Sequence, residues 1–233
     1  MSRALKYDIP GPDWRITPEE IKEKGLRESF SRSSEEHVSL VVDLGFGRGE
    51  FLLALVQQDP DTLLLGVEYS FKRVLKMARL LARSGLTRIL LCDATAEAVV
   101  GACLPDASVR EFYVNFPDPW PKKRHHRRRM LQSAFVAQIV RCLETSGVFN
   151  VATDHRGYAE WIDEVLSREP GLENLYAPDG WRDSVEGRPT TSYELEWRAE
   201  GRSFHFFRYR RQVGVEGPVS ARDRAAELDS QPS

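Results

Sequence analysis

The sequence predicts an α/β fold in which a mostly parallel sheet carries helices on both faces. Between residues 39 and 211, short apolar runs alternate with segments whose apolar residues follow helical spacing, a pattern typical of parallel sheets. The first run ends in a glycine cluster, Gly45, Gly47 and Gly49, which lets the backbone turn tightly into a helix. The 233 residues are enough to bury one full core.

The elements follow one another in a regular order along this part of the chain. The clearest helix is 70–84, where apolar residues recur every three or four positions between Ser70 as cap and Gly85 as stop. Strands are predicted at 39–44, 63–67, 88–91, 109–115 and 147–152, and further helices at 51–56, 127–143 and 156–168. Ligands of such sheets bind beyond the carboxyl ends of the strands. That rule selects residues 43–50, 68, 93, 115–122 and 153–154.

Both ends of the chain are predicted to lie outside the main domain at 39–211. Residues 1–38 form an N-terminal extension with a short helix, because Thr17-Pro18-Glu19-Glu20 combines a cap, a first-turn proline and acidic residues. Residues 212–233 lack periodicity and are predicted to be a disordered tail.

Composition disfavours several classes of protein. No apolar run approaches the roughly 18 residues of a membrane helix, and the polar start is unlike a signal peptide, so we expect a cytoplasmic protein without membrane contact. Cys92, Cys103 and Cys142 lie far apart without a CxxC pair, which predicts buried thiols and no metal site. The oligomeric state stays open between monomer and homodimer.

One segment concentrates positive charge. Residues 122–129 contain six Lys or Arg and no acid, whereas the remainder of the chain has 27 basic and 35 acidic residues. A dense basic segment on an acidic body predicts local contact with nucleic-acid phosphates.

Acidic residues stand at four predicted strand ends, Asp43, Glu68, Asp93 and Asp118. A pocket with that many carboxylates favours a cationic ligand without phosphate. A dinucleotide fingerprint would need glycine or alanine at position 50, so Glu50 disfavours an NAD-dependent oxidoreductase. The pattern Asp-x-Gly-x-Gly-x-Gly from Asp43 resembles the first motif of class I methyltransferases, whose cofactor S-adenosylmethionine carries a sulfonium and an ammonium.

The loop after the fourth strand carries the most specific motif. Prolines 117, 119 and 121 stiffen it and hold Asp118 and Trp120 over the predicted cleft. The segment Phe-Pro-Asp-Pro-Trp-Pro-Lys-Lys-Arg-His-His at 116–126 closely resembles the signature of the bacterial tRNA (guanine-N7)-methyltransferase family. Residues 152–154 and 188–194 agree with two further family motifs, and the resemblance spans about residues 40–210.

This resemblance implies a fold, a reaction and partners. The implied fold is a Rossmann-like class I methyltransferase with a seven-stranded sheet, and the implied cofactor is S-adenosylmethionine. The implied reaction is methylation of N7 of guanine 46 in the variable loop of tRNA. The first 35 residues of this chain match no motif of the family. Asp43 stands where many family members have glutamate.

The resemblance also assigns roles to single residues. Asp118 is implied to be catalytic and to touch the cofactor. The other implied cofactor-binding residues are Asp43, Gly45, Gly47, Glu68 and Asp93. The implied substrate-binding residues are Lys122, Asp154, Thr191, Ser192, Tyr193 and Glu194. For Asp154 a helix cap, and for residues 190–194 an ordinary surface turn, remain alternative interpretations.

The chemistry of guanine N7 agrees with what the motifs lack. N7 is an in-plane acceptor with no proton to remove, so orientation and a placed charge suffice. Carbon-5 methylation of pyrimidines would need a cysteine in these motifs, and adenine amino methylation usually shows Asn-Pro-Pro-Tyr in this loop. The open alternatives are a class I methyltransferase with another RNA, protein or small-molecule substrate, and a non-catalytic tRNA-binding protein of the same fold.

Overall fold

The computed structural model describes residues 8–26, 39–59 and 62–214. Their strands are β1 (Arg15–Ile16), β2 (Leu40–Leu44), β3 (Leu63–Glu68), β4 (Ile89–Asp93), β5 (Val109–Asn115), β6 (Leu143–Thr153), β7 (Leu172–Asn174) and β8 (His205–Arg211). They form one sheet in the order β1-β4-β3-β2-β5-β6-β8-β7. Pairing is parallel from β1 to β6, and β8 pairs antiparallel with both β6 and β7. The predicted α/β fold is confirmed, but seven strands was one too few, because the two-residue β1 adds an edge.

Helices cover both faces of the sheet. They are α1 (Pro18–Lys24), α2 (Glu50–Gln58), α3 (Phe71–Ser84), α4 (Ala96–Ala102), α5 (Ser133–Cys142), α6 (Arg156–Ser167) and α7 (Ser192–Ala199), with a 3-10 helix at Lys123–Arg128. Side chains alternate across each strand, so Val41 packs into the cluster with α2 and α3, whereas Val42 packs into the larger cluster with α4, α5 and α6. No helix in the described ranges is long and apolar enough to cross a membrane.

The chain before the glycine loop adds to this core. Thr17 caps α1 in a capping box with Glu20, as the sequence predicts. Ile16, Ile21 and Leu26 are buried in the larger cluster, so the extension contributes apolar surface to the sheet edge. The division at residue 38 stays a prediction, and most of the predicted tail lies outside the described residues.

Two helical predictions need correction. A helix was expected over 127–143, but α5 begins only at Ser133, because the Gln132 side chain donates to the carbonyls of His126 and Arg129 and ends the 3-10 turn there. The interpretation of 190–194 as a surface turn is also wrong, since Thr191 and Glu194 form a capping box that starts α7.

The close approach of α2 to the sheet depends on Gly66 in β3. A Cβ at this position would lie 2.7 Å from Leu52 Cδ2 and 2.9 Å from Phe46 Cδ1. We expect Gly66→Ala to lower the free energy of unfolding by about 1–3 kcal/mol, since both neighbours are buried and must move. Gly101→Ala is the matched control: it meets open space in α4 and should stabilise by up to about 1 kcal/mol. Urea unfolding measures both, and equal effects would contradict the packing argument.

Candidate active site

Two adjoining clefts lie at the carboxyl edge of the sheet. The smaller cleft, about 280 Å³, is bounded by the ends of β3 and β4, and the larger cleft, about 500 Å³, by the glycine loop and the start of α7. Both are lined by Gly45, Arg73, Asn115, Phe116, Pro117 and Asp118. The strand-end rule therefore placed the ligand region at the edge where the structure has its clefts.

The glycine loop after β2 is held open by a buried carboxylate. Gly45, Gly47 and Gly49 have φ values of 78°, 58° and 80°, a region that side chains disfavour. Glu68, only 2% exposed, accepts hydrogen bonds from the backbone N–H of Gly47 (3.1 Å) and of Ser70 (2.9 Å). Glu68 lines the smaller cleft, and its carboxylate is hydrogen-bonded to these two backbone groups.

Asp43 places an unsatisfied carboxylate beneath the larger cleft. Its side chain is 1% exposed, and neither oxygen has a hydrogen-bond partner within the described residues. Burial raises its pKa to about 7; nearby Arg188 and Asn115 oppose this shift, and Glu68 adds to it. The Asn115 amide favours the charged form of Asp43, although no hydrogen bond joins the two side chains. A cation or N–H donor entering the cleft would satisfy this carboxylate.

The proline loop presents Asp118 where the two clefts meet. Asp118 is exposed and lines both. The backbone on either side adopts positive φ, 53° at Phe116 and 43° at Trp120, which costs about 1–3 kcal/mol per residue. Packing of Phe116 on Tyr193 and Phe204, at 5.1 and 5.6 Å between ring centroids, opposes that cost. The loop is therefore rigid around its carboxylate.

The basic segment 122–129 does not form the uniform patch that its sequence predicts. Arg129 is 4% exposed: its Nε donates to the Pro119 carbonyl at 3.0 Å, and its guanidinium lies over two aromatic rings of α6. Arg128 covers the Trp120 ring at 5.0 Å, and both line the smaller cleft. The cations exposed to a partner are Lys122, Lys123, Arg124, Arg127 and Arg128. Five of the six cations of the segment are therefore exposed, and the predicted contact with nucleic-acid phosphates stays a prediction.

The family-like segment at the start of α7 lines the larger cleft through two of its residues. Thr191 and Tyr193 lie on the cleft wall, and Asp154 lines the same cleft beside Tyr193. Asp154 accepts from the Tyr193 hydroxyl at 3.0 Å and from Arg202 at 2.6 Å. The cap of α6 is His155, whose Nδ1 accepts from Tyr158 N. Asp154 therefore belongs to the cleft and is not a helix cap.

Ser192 and Glu194 are both used inside the protein. Ser192 donates from its N–H and its hydroxyl to Glu50 at 2.7–2.8 Å, which ties α7 to the helix that follows the glycine loop. Glu194 is 1% exposed and pairs with Arg188 at 2.7 Å. This geometry supports a positioning role for Glu194.

Arg188 is a residue that the sequence analysis did not assign to the site. Its guanidinium donates to Glu194 and, at 2.6 Å, to Asn115 Oδ1. Its guanidinium carbon also lies over the rings of Phe51 and Phe206, 4.7 and 4.8 Å from their centroids. The sequence signal for such a role was the position of Arg188 in the motif at 188–194. Its partners Asn115 and Phe51 are distant in the sequence and are brought to it only by the fold.

Two predicted residues lie beside the clefts without lining them. Asp93 is exposed at the end of β4. Partial desolvation raises the pKa of its carboxyl, and the charge of Arg15 opposes that shift. The smaller cleft is lined instead by the residues that follow it, 94–97. Lys122 is exposed at the end of the proline loop.

Comparisons with known proteins agree on one family. Residues 37–207 match the model of the family described as "Putative methyltransferase". A tRNA (guanine-N(7)-)-methyltransferase of Leifsonia xyli subsp. xyli is 38% identical over 72% of this chain and 74% of its own. One of Marinobacter nauticus is 34% identical over 84% and 77%.

Solved structures agree on the fold. The 16S rRNA methyltransferase KamB superposes with a TM-score of 0.58 over 79% of this chain and 93% of its own, at 16% identity. At that identity the likeness supports the methyltransferase fold alone.

The unpaired carboxylate of Asp43 should make stability depend on pH. An aspartate whose pKa rises from about 3.9 unfolded to about 7 folded makes the protein less stable as pH rises through that interval. We expect the stability advantage of Asp43→Asn over the parent to grow by about 2–3 kcal/mol from pH 5 to pH 8. Chemical unfolding of the ligand-free proteins measures it. Asp179→Asn, at an exposed carboxylate, is the control; an advantage for Asp43→Asn that is independent of pH would contradict the assignment.

The buried pair of Arg188 and Glu194 should show strong coupling. Arg188→Met leaves the Glu194 carboxylate buried without its cation and should cost about 3–5 kcal/mol. Adding Glu194→Gln removes the stranded charge while keeping an acceptor for the α7 cap, so the double variant should recover part of that loss. A double-mutant cycle by urea unfolding measures the coupling, and additive effects would disprove it.

Proposed function

Since the chain belongs to the tRNA (guanine-N(7)-)-methyltransferase family, we propose that it transfers a methyl group from S-adenosylmethionine to N7 of a guanine in tRNA. The finer proposal is that the target is guanine 46 of the variable loop. The reaction is the one named for the relatives. The residues that line the clefts support the proposal that this chain performs it.

The observation that carries the proposal is the unpaired, buried carboxylate of Asp43. It lies beneath the glycine loop, with the carboxylates of Glu68 and Asp118 on the same clefts. This donor set fits a ligand with an ammonium and a sulfonium and repels a diphosphate. S-adenosylmethionine therefore fits these residues, and when bound it supplies a methyl group on a positively charged sulfur.

We assign the cofactor to the smaller cleft and to the end of the larger cleft that the glycine loop lines. Asp43 would face its ammonium, and Gly45 and Gly47, which carry no side chain, would let the cofactor lie close against the loop backbone at the start of α2. Glu68 can still accept from ribose hydroxyls, because a carboxylate offers about four acceptor positions and the loop uses only some of them. Asp93 and the adjoining residues would border the adenine.

The remainder of the larger cleft, lined by Asp118 and the start of α7, would hold the guanine. Asp118 at the junction places negative charge where the purine becomes positive, and no proton has to leave N7. Tyr193, fixed by Asp154, would orient the base on the opposite wall. Thr191, Ser192 and Glu194 keep that wall in place through the α7 cap and the bond to Glu50.

The target base must come from an irregular part of the RNA. In an A-form helix, the deep and narrow major groove keeps N7 away from protein groups. A guanine in a loop or an opened tertiary contact is accessible, as the variable loop requires. Exposed cations of the basic segment, Lys122 among them, would hold the neighbouring phosphates.

Methyl transfer tests both the reaction and the role of Asp118. The parent protein should transfer labelled methyl from S-adenosylmethionine to an unmodified tRNA transcript, and digestion should yield 7-methylguanosine. We expect Asp118→Asn to lower kcat by about 10²–10³-fold, since it removes a charge placed for the transition state, while tRNA affinity stays within about threefold of the parent.

Asp179→Asn, which removes an exposed carboxylate on another loop, is the matched control and should retain full activity. A transcript with adenine in place of guanine 46 tests the finer proposal and should receive no label. Failure of the parent to label RNA while it binds the cofactor would refute the substrate assignment.

A further inference from the structure

Helix α3 presents a row of cations outside the clefts. Lys72, Lys76, Arg79 and Arg83 follow one another at intervals of four, three and four residues, which places them on one face. They line a shallow depression of about 400 Å³ together with Leu75 and Leu80. We call these four cations the α3 stripe. The helix contains five Lys or Arg and no Asp or Glu, so the depression has no acidic lining.

The stripe destabilises the helix that carries it. Like charges three and four residues apart repel each other, and cations in the first turn oppose the helix dipole. Across the described ranges, no salt bridge involves Lys72, Lys76 or Arg83. Glu50 attracts Lys76, and an anionic partner would offset the repulsion along the rest of the stripe.

The position of the stripe connects it to the active site. Arg73, on the first turn of α3, lines both clefts. The stripe begins beside it at Lys72 and runs along α3 for about 16 Å, at 1.5 Å per residue. The smaller cleft is also lined by Trp120 and by Arg128 of the basic segment. Cations from two separate elements therefore flank the same opening.

Lys76 lies within electrostatic reach of the α7 contact. The pKa of Glu50 is lowered first by hydrogen bonds from Ser192 and further by the charges of Arg48 and Lys76. Arg79 is held in place, because its Nε donates to the Asp8 carbonyl at 3.1 Å. The stripe is thus partly preorganised next to the larger cleft.

We infer that the α3 stripe binds the phosphodiester backbone of the same RNA whose guanine occupies the larger cleft. This inference rests on the proposed function and adds a second contact surface to it. Charge distribution favours it: apart from 122–129 and α3, the chain has 22 basic and 35 acidic residues, a surface that repels RNA. Backbone contacts on two sides of the opening would fix the position of the RNA while the clefts select the base.

The test removes three charges of the stripe in the full chain. In Lys72→Gln/Lys76→Gln/Arg83→Gln, the slope of log Kd for tRNA against log[KCl] should fall by about 2, because each lost phosphate contact contributes about 0.7–0.9. Affinity at physiological salt should drop roughly 10- to 100-fold. At low salt and saturating tRNA, kcat should stay within about twofold of the parent, since the catalytic clefts are unchanged.

The control variant is Lys22→Gln/Lys24→Gln/Arg168→Gln, which removes the same charge from exposed positions on α1 and after α6. The melting temperature of the stripe variant should equal or exceed that of the parent, because repulsion within α3 is relieved. Equal Kd values and salt slopes for the two triple variants, with methylation by the parent intact, would overturn this inference alone. A parent protein that neither binds nor methylates tRNA would overturn the proposed function as well.

Discussion

The guanidinium of Arg188 connects the start of α7 to the edge of the sheet where both clefts lie. It donates to Glu194 and to Asn115 at the end of β5, and it lies over two phenylalanine rings. Asn115 itself lines both clefts. A planar cation held by these hydrogen bonds and ring contacts has little freedom to move. The start of α7 is thereby fixed relative to the sheet, and the field of the same charge acts on Asp43. The proposed cofactor side and the proposed acceptor side of the site therefore share one anchor.

Two strained backbone positions flank the carboxylate for which the chemistry is proposed. The proline loop holds Asp118 between two side-chain-bearing residues with positive φ, a conformation maintained only by surrounding contacts. Phe116 is fixed from the α7 side, and the loop backbone at Pro119 is fixed by Arg129. A carboxylate held by such contacts does not need to reorganise when charge develops nearby. The buried Arg129 thus serves the site from within a segment that looks entirely solvent-facing in the sequence.

Elements that depend on local periodicity could be predicted from the sequence. The five strands predicted between residues 39 and 152, the ends of α1 and α3 and the common edge of the acidic strand ends follow from patterns a few residues long, whereas β1, β7 and β8 were not predicted. The start of α5 did not, because it depends on a side chain that folds back on the preceding turn. Helix α7 was missed although Thr191 and Glu194 carry its capping signal, since few apolar residues follow them. Arg188 was missed because its partners are brought together only by the fold, and the roles of the site residues stay predictions.

The orphaned carboxylate beneath the glycine loop also links ligand binding to solvent protons. With a pKa of about 7, about half of the ligand-free molecules carry a proton on Asp43 at neutral pH. A cation that docks against this carboxylate expels that proton, so occupancy of the site and proton release become reciprocal events. Apparent affinity then rises with pH until Asp43 is ionised, and the heat of binding varies with the ionisation enthalpy of the buffer. Acidification would thereby lower the occupancy of the site by a cationic ligand without any change in the concentration of that ligand.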